Sequence, residues 1–303
     1  MRFIVIGASG FVGNRILSHL LASDYDAIGT YSSRKPEPDL KGKSGNSAFI
    51  EYNLLEDKLK DCLPKGFIAN GGRNEKTYAI ICAAMSRIDE CFLNKELSYK
   101  LNVERTINLL YELKELGIKP VFFSSSQVFD GKKGPYTEKS KPAPVCEYGK
   151  QKLEVERFIQ KEVPDSIIIR TDKVIDDHYM KGQTLSDWYD AVKAKKAIYC
   201  IEGKTMSPTA VADMANAVRL LCEKNLSGIY HVANTEFFTR ESLAKEFVKA
   251  LEAEADVATR PVEFFNFADK RSIETHLDSG KFIKATGMRF TTMREVFNRF
   301  INK

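Results

Sequence analysis

The sequence has no run of about eighteen apolar residues, which excludes a membrane-spanning helix. Cysteines at metal-ligand spacing are missing too. The six present (Cys62, Cys82, Cys91, Cys146, Cys200, Cys222) form no C-x-x-C and lie far apart, as expected of reduced thiols in a cytoplasmic protein. The four histidines (His19, His178, His231, His276) have no i, i+4 partner and no cysteine pair nearby, so no metal is expected. Charge of one sign is scarce. Lys plus Arg (46) exceeds Asp plus Glu (41) by five, with no basic block, and nucleic acid is not an expected partner. A small anionic ligand is still allowed. Arg2 followed by Phe3 to Val12 has the outline of a short secretory leader, but Gly7, Gly10 and Gly13 interrupt it and no small-residue cleavage site follows, so no signal peptide is expected.

What is there is 303 residues, 43% of them hydrophobic, enough to bury a large core. Short apolar runs (Phe3 to Ile6, Asp26 to Thr30, Ala48 to Tyr52, Tyr78 to Cys82, Val121 to Phe123, Ile167 to Ile169) alternate with amphipathic stretches such as Asn14 to Ala22. This is the βαβ rhythm, and runs that are continuous where an exposed sheet would alternate predict a parallel, doubly wound sheet covered on both faces. The helix before Gly117 carries Val103, Ile107, Leu110 and Leu113 at spacings of three and four, with Gly117 at its C′ position. Past Thr171 the rhythm breaks, and Ala197 to Ile201 and Val262 to Phe265 read as strand-like pieces of a smaller cap. Ala212 to Glu223 and Gly228 to Val232 read as one more helix and strand of the first domain. The expected division is 1–171 with 206–235 for that domain and 172–205 with 236–303 for a discontinuous cap. Segments 31–47 and 64–77, rich in Gly, Lys, Ser, Pro and Asn, are expected to be mobile surface loops.

Four features carry chemistry. Gly7-Ala8-Ser9-Gly10-Phe11-Val12-Gly13 follows the first strand and opens a helix, where glycines allow a tight turn and the helix N-terminus offers free N–H groups to a pyrophosphate. After the second strand, where a protein selecting NAD usually offers an acid to the ribose, stand Ser32, Ser33 and Arg34, which suit a 2′-phosphate. The third strand-end feature is Ser124-Ser125-Ser126, at the edge where doubly wound sheets bind ligands. Tyr148 and Lys152, four apart on one helix face, pair a phenol with an ammonium that can stabilise its phenolate.

Taken in this order, the residues resemble the extended short-chain dehydrogenase/reductases. Phe123 to Gly131, Pro135-Tyr136-Thr137-Glu138, Tyr148-Gly149-Lys150-Gln151-Lys152, Arg170-Thr171, Ser207-Pro208-Thr209 and Gly228 to Val232 are similar to the dTDP-4-dehydrorhamnose reductase branch. The resemblance implies an α/β, Rossmann-type, NADP-binding domain with a substrate-binding cap, and hydride transfer to a keto group of a nucleotide-linked sugar. NADP(H) is the expected cofactor, with NAD(H) open as an alternative, and a homodimer is compatible. By resemblance Ser125 orients the carbonyl, Tyr148 protonates the developing alkoxide, and Lys152 lowers the tyrosine pKa and bonds the nicotinamide ribose. Gly7, Ser9, Gly10, Phe11 and Val12 line the pyrophosphate, Ala83 and Ala84 pack near the adenosine side, and Asn102 supports the active-site face of its helix.

The departures fall on the substrate side. Ser125-Ser126-Gln127 stands where the family usually has Thr-Asp-Tyr, and Lys173 stands in place of an aromatic residue. A plain deoxysugar therefore loses its stacking platform, and an acceptor with an anionic or strongly polar group is expected to do better. No acid follows Ser125, which argues against the 4,6-dehydratases. Two rival readings are a dinucleotide-binding regulatory subunit resembling the methionine adenosyltransferase beta subunits, and a nucleotide-sugar epimerase. The basic loop generates a direct test. Titration should find NADPH bound about 10- to 100-fold more tightly than NADH, the value of one charge-assisted hydrogen bond, and Arg34→Ala should erase the difference. Equal affinities in the native protein would remove the basis for this assignment.

Overall fold

A computed structural model of the chain describes residues 1–33, 35, 36, 40–43, 45, 47–68 and 76–302. Arg34 and parts of the two expected loops (37–39, 44, 46 and 69–75) lie outside the described residues. The apolar runs form one parallel sheet: β1 (Arg2–Ile6), β2 (Asp26–Tyr31), β3 (Phe49–Glu51), β4 (Thr77–Ile81), β5 (Lys119–Ser125), β6 (Ile167–Thr171) and β7 (Gly228–His231). Their spatial order is β7-β6-β5-β4-β1-β2-β3, and every neighbouring pair is parallel. The order reverses between β1 and β4, and the strands' carboxyl ends open a crevice there.

Successive strand residues point to opposite faces, so an unbroken apolar run feeds two cores. Phe3, Val5, Ile80, Val121 and Ile169 pack with Ile16, Leu17 and Leu20 of α1 (Phe11–Ala22) on one face. Ile4, Ile6, Ile81, Phe122 and Ile168 pack on the other face with Leu109, Leu110 and Leu113 of α2 (Thr106–Glu115) and Val155 and Ile159 of α3 (Glu147–Glu162). This is an α/β fold of Rossmann type. The helix α4 (Val211–Glu223) joins the first core through Met214, Val218 and Leu221, beside α1.

Much of the remainder forms a separate core, although Phe282, Met288 and Phe290 pack into the first. Leu185, Trp188, Ile198, Cys200, Leu243, Phe247, Val296, Phe297 and Phe300 cluster around a short parallel pair, Ile198–Ile201 with Val257–Arg260. Here the expected strand at Val262–Phe265 is a 3-10 turn following Pro261. Its aromatic rings contact neighbours along the chain, Phe264 edge-on to Phe265 at 5.4 Å and Phe265 stacked on Phe267 at 5.5 Å, instead of alternating across a sheet. The helix before Gly117 is also less regular than its spacing predicts. Lys95–Tyr99 and α2 are joined through a π-helical segment, Lys100–Arg105. Gly117 does end it, with φ +67°. Among the described residues no helix is long and apolar enough to cross a membrane.

The tightest backbone approach in the first core is at Gly13, where a Cβ would lie 2.4 Å from the Gly7 carbonyl oxygen. Gly13→Ala must push α1 off the turn, and overpacking of this kind costs about 1–3 kcal/mol. Its urea midpoint should fall at unchanged slope, whereas a native midpoint would mean that the helix can shift freely.

Candidate active site

Between β1 and α1 the chain makes its tight turn. Gly7 has φ +82°, and its N–H donates to Thr30 Oγ1 at 3.0 Å, tying the turn to the end of β2. A Cβ on Gly7 would sit 2.9 Å from the Ala83 backbone. The turn borders a cavity of about 320 Å³ whose wall includes Gly7, Ser9, Gly10, Ser32, Ala83 and Ala84. Phe11 and Val12, at the start of α1, line a second cavity of about 410 Å³. Cys82 and Ala84 line both. A ligand extending from one cavity to the other would pass the unpaired N–H groups of the helix N-terminus. Ser33 is exposed and on neither wall.

The larger cavity lies at the carboxyl ends of β5 and β6. Ser125 ends β5, and its Oγ accepts the Gln127 N–H at 3.2 Å and lies close enough to the Tyr148 phenol to pull its pKa down. Tyr148 comes from the first turn of α3, which can press this closely on the 125–127 loop because residue 149 is glycine: a Cβ there would meet the Gln127 carbonyl oxygen at 2.1 Å. One turn on, Lys152 is buried, and its Nζ donates to the Phe123 carbonyl at 2.8 Å, 5.7 Å from the Tyr148 ring centre. Ser125, Tyr148 and Lys152 thus share one wall.

Burial dominates the electrostatics. It raises the Tyr148 pKa, with Cys91 and Cys146 adding to the effect and the Ser125 hydrogen bond opposing it. It also pushes Lys152 down to about 8, against the pull of Cys82, Cys91 and Glu156. The sequence reading gave Lys152 the task of lowering the phenol pKa. In the structure the ammonium is itself desolvated and turned to the Phe123 carbonyl, and the phenol keeps its proton.

Asn102 sits behind the wall, in the π-helical segment, and reaches neither cavity surface. Its amide accepts the Met85 N–H at 2.9 Å and donates to the Met85 carbonyl at 2.9 Å and to Gln151 Oε1 at 2.8 Å. It therefore joins the loop after β4 to α3. Ser126 is 1% exposed and donates to Asp172 Oδ1 at 2.8 Å, so its hydroxyl orients a carboxylate. Gln127 and Lys173 are on the wall. Sequence reasoning missed Asp172, Lys204 and Arg240, which line the same cavity. Lys204 lies three residues before the Ser207-Pro208-Thr209 match and could have been flagged, whereas Arg240 opens a helix in the irregular region and carries no local signal. The C-terminal segment is tied to the elements around the site: Asp269 Oδ2 accepts the N–H of Glu147 at 2.7 Å, and Arg271 pairs with Asp89 at 2.7 Å. Among the described residues no group of three or more His, Cys, Asp or Glu is placed to hold a metal.

The family model described as RmlD substrate binding domain matches residues 1–303. The chain belongs to this family. Solved structures similar to this RmlD-family chain include a hypothetical dTDP-4-dehydrorhamnose reductase from Sulfolobus tokodaii, 28% identical, covering 96% of this chain and 97% of that one with TM-score 0.80. A dTDP-4-dehydrorhamnose reductase from Bacillus anthracis in complex with NADP, 21% identical, shares the fold over 99% of this chain and 98% of its own with TM-score 0.79. Curated relatives include methionine adenosyltransferase 2 subunit beta from Rattus norvegicus, 26% identical over 250 residues (80% of this chain, 70% of the relative). Another is a probable low-salt glycan biosynthesis reductase from Haloferax volcanii, 25% identical over 264 residues (84% and 82%). Membership in the extended short-chain dehydrogenase/reductases, in the branch resembling the dehydrorhamnose reductases, follows.

The buried lysine generates a stability prediction. In the unfolded chain Lys152 titrates near its ordinary 10.5, so between pH 8 and 10.5 the unfolded state holds more protons and stability rises with pH; below 8 the cost of burying the charge is fully present. That cost is about 3 kcal/mol, offset by about 1 kcal/mol each for the Phe123 hydrogen bond and the contact with the Phe122 ring. Lys152→Met should therefore raise the unfolding free energy at pH 7 by about 1 kcal/mol, the gain vanishing near pH 10. Destabilisation at pH 7 would contradict the burial argument.

Proposed function

We propose that the protein is an NADP(H)-dependent reductase acting on a keto group of a nucleotide-linked sugar. The observation that carries this reading is the convergence of Ser125, Tyr148 and Lys152 on the wall of one cavity that shares Cys82 and Ala84 with the cavity over the glycine turn. The cradle fits a nicotinamide dinucleotide: the glycine turn has no room for a Cβ at Gly7, and its helix N-terminus is free for a pyrophosphate. Gly7, Ser9, Gly10, Phe11 and Val12 would hold the phosphates, Ala83, Ala84 and Ser32 the adenosine end, and Lys152 the nicotinamide end. When bound, the cofactor supplies the hydride.

The chain's own part is positioning and proton supply. Ser125 donates a hydrogen bond to the carbonyl oxygen and holds the carbon for attack. Tyr148, kept protonated by its burial, gives its proton to that oxygen as it gains charge. The phenolate left behind is stabilised by the Lys152 ammonium, and the alcohol product departs. The acceptor sugar sits between the sheet's carboxyl edge and residues of 172–205 and 236–303, the division proposed for the cap.

A second reading has a specific observation in its favour: the similarity to methionine adenosyltransferase 2 subunit beta, a relative whose name is that of a subunit. Tyr148→Phe separates the two. For a reductase the variant should lose about 10²- to 10⁴-fold in kcat with NADPH affinity unchanged, since the phenol acts on the substrate oxygen and the glycine turn holds the cofactor. Full activity in the variant would refute the assigned role. NADPH binding without turnover of any nucleotide-linked keto sugar by the native protein would support the regulatory reading instead.

A further inference from the structure

The larger cavity carries more positive charge than hydride transfer needs. Besides Lys152 its wall holds Lys173, Lys204 and Arg240, against a single acid, Asp172, among the described residues. Two of the three acids nearest Lys173 are committed elsewhere, and the third, Asp187, makes no ion pair with it. Asp172 accepts from Ser126 Oγ and from the Ser207 N–H, each at 2.8 Å. Asp176 is buried and accepts from the Leu185 and Ser186 N–H groups, each at 3.0 Å, and from Ser186 Oγ at 2.7 Å. Asp187 is exposed. Lys204 Nζ is held by the Ser272 carbonyl at 2.8 Å and Thr275 Oγ1 at 2.9 Å. Neither the Lys173 ammonium nor the Arg240 guanidinium makes a hydrogen bond or ion pair among the described residues. Arg240 lies over the Trp188 ring at 5.3 Å.

The cations also feel one another. Burial and then the Arg240 charge hold Lys173 below its ordinary value, with Asp176, Asp172 and Asp187 opposing. Burial pushes Lys204 down to about 8, with Asp172 opposing and Arg240, Arg271 and Lys173 adding. Lys173, Lys204 and Arg240 are half-buried on one wall, so they repel one another, and an anion placed among them relieves that repulsion. The position of this charge matters as much as its sign. Lys173 and Arg240 line the same cavity as Ser125 and Tyr148, and Asp172, the residue before Lys173, is bonded to Ser126, the residue after Ser125. An anion held by these cations shares the cavity with the groups assigned to the reacting carbonyl.

We propose that the acceptor is an acidic sugar, with a carboxylate on the ring that bears the keto group, and that Lys173 and Arg240 are the residues that select it. This rests on the nucleotide-sugar reading above. The same cations could engage the diphosphate of the nucleotide, and the test separates these sources.

NADPH-loaded protein is titrated calorimetrically with UDP, UDP-glucose and UDP-glucuronate, in native form and as Lys173→Met, Arg240→Met and Lys173→Arg. The expected result is a preference of about 10- to 100-fold for UDP-glucuronate over UDP-glucose, the range of one charge-assisted hydrogen bond. The preference should shrink toward unity in the two methionine variants and persist in Lys173→Arg, with UDP affinity unchanged throughout. A native ratio near unity overturns the inference, and so does a parallel loss of all three ligands in the variants, which would place the cations on the diphosphate. If a variant fails to fold, the native ratio decides. Failure of all three ligands to bind while NADPH still does overturns the nucleotide-sugar reading itself.

Discussion

The site depends on how α3 is clamped to the ends of β5 and β6. Glu156, fully buried one turn beyond Lys152, accepts from Arg170 Nε at 2.9 Å and from its terminal nitrogen, and also from the Ser124 hydroxyl. Removing either member of the Glu156–Arg170 pair strands a buried charge, so the two side chains form a joint that neither can leave. Lys152 adds a second joint through the Phe123 carbonyl. Together they fix the helix that carries Tyr148 against the strand that ends in Ser125, and Gly149 removes the one side chain that would hold the two apart.

Within that frame, desolvation sets the protonation states. A phenol and an ammonium forced into the same dry wall are each driven toward neutrality, the phenol keeping its proton and the lysine able to lose one. This is a resting state suited to giving a proton away. The substrate end is arranged oppositely: there the cations exceed the acids, and no internal partner settles the difference.

The sheet was legible because its strands are buried on both faces, so their composition alone announced them. The glycine turn and the Tyr148-Lys152 helix were legible for a similar local reason, since spacing within a few residues decides both. The less regular half was harder. Val262–Phe265 has the composition of a strand, but Pro261 precedes it and its two rings meet edge to face. The π-helical turn at Asn102 answers a contact with Met85, seventeen residues away, which no window of sequence displays. Lys204 and Arg240 become part of the site only because the chain returns to β5 and β6 after long excursions, and such convergence has no periodicity to betray it.

The walls of the two cavities differ in how much chain they require. The smaller is lined by residues no later than Leu101, whereas the larger needs residues as far along as Arg240. The N–H of Glu147 that Asp269 receives is 122 residues upstream of it. During synthesis from the N-terminus, then, every residue of the turn-side wall is made while more than half of the polypeptide is still unmade, whereas the reacting wall is complete only once Arg240 is made. The order in which the two walls are synthesised is thus written into the threading of the chain.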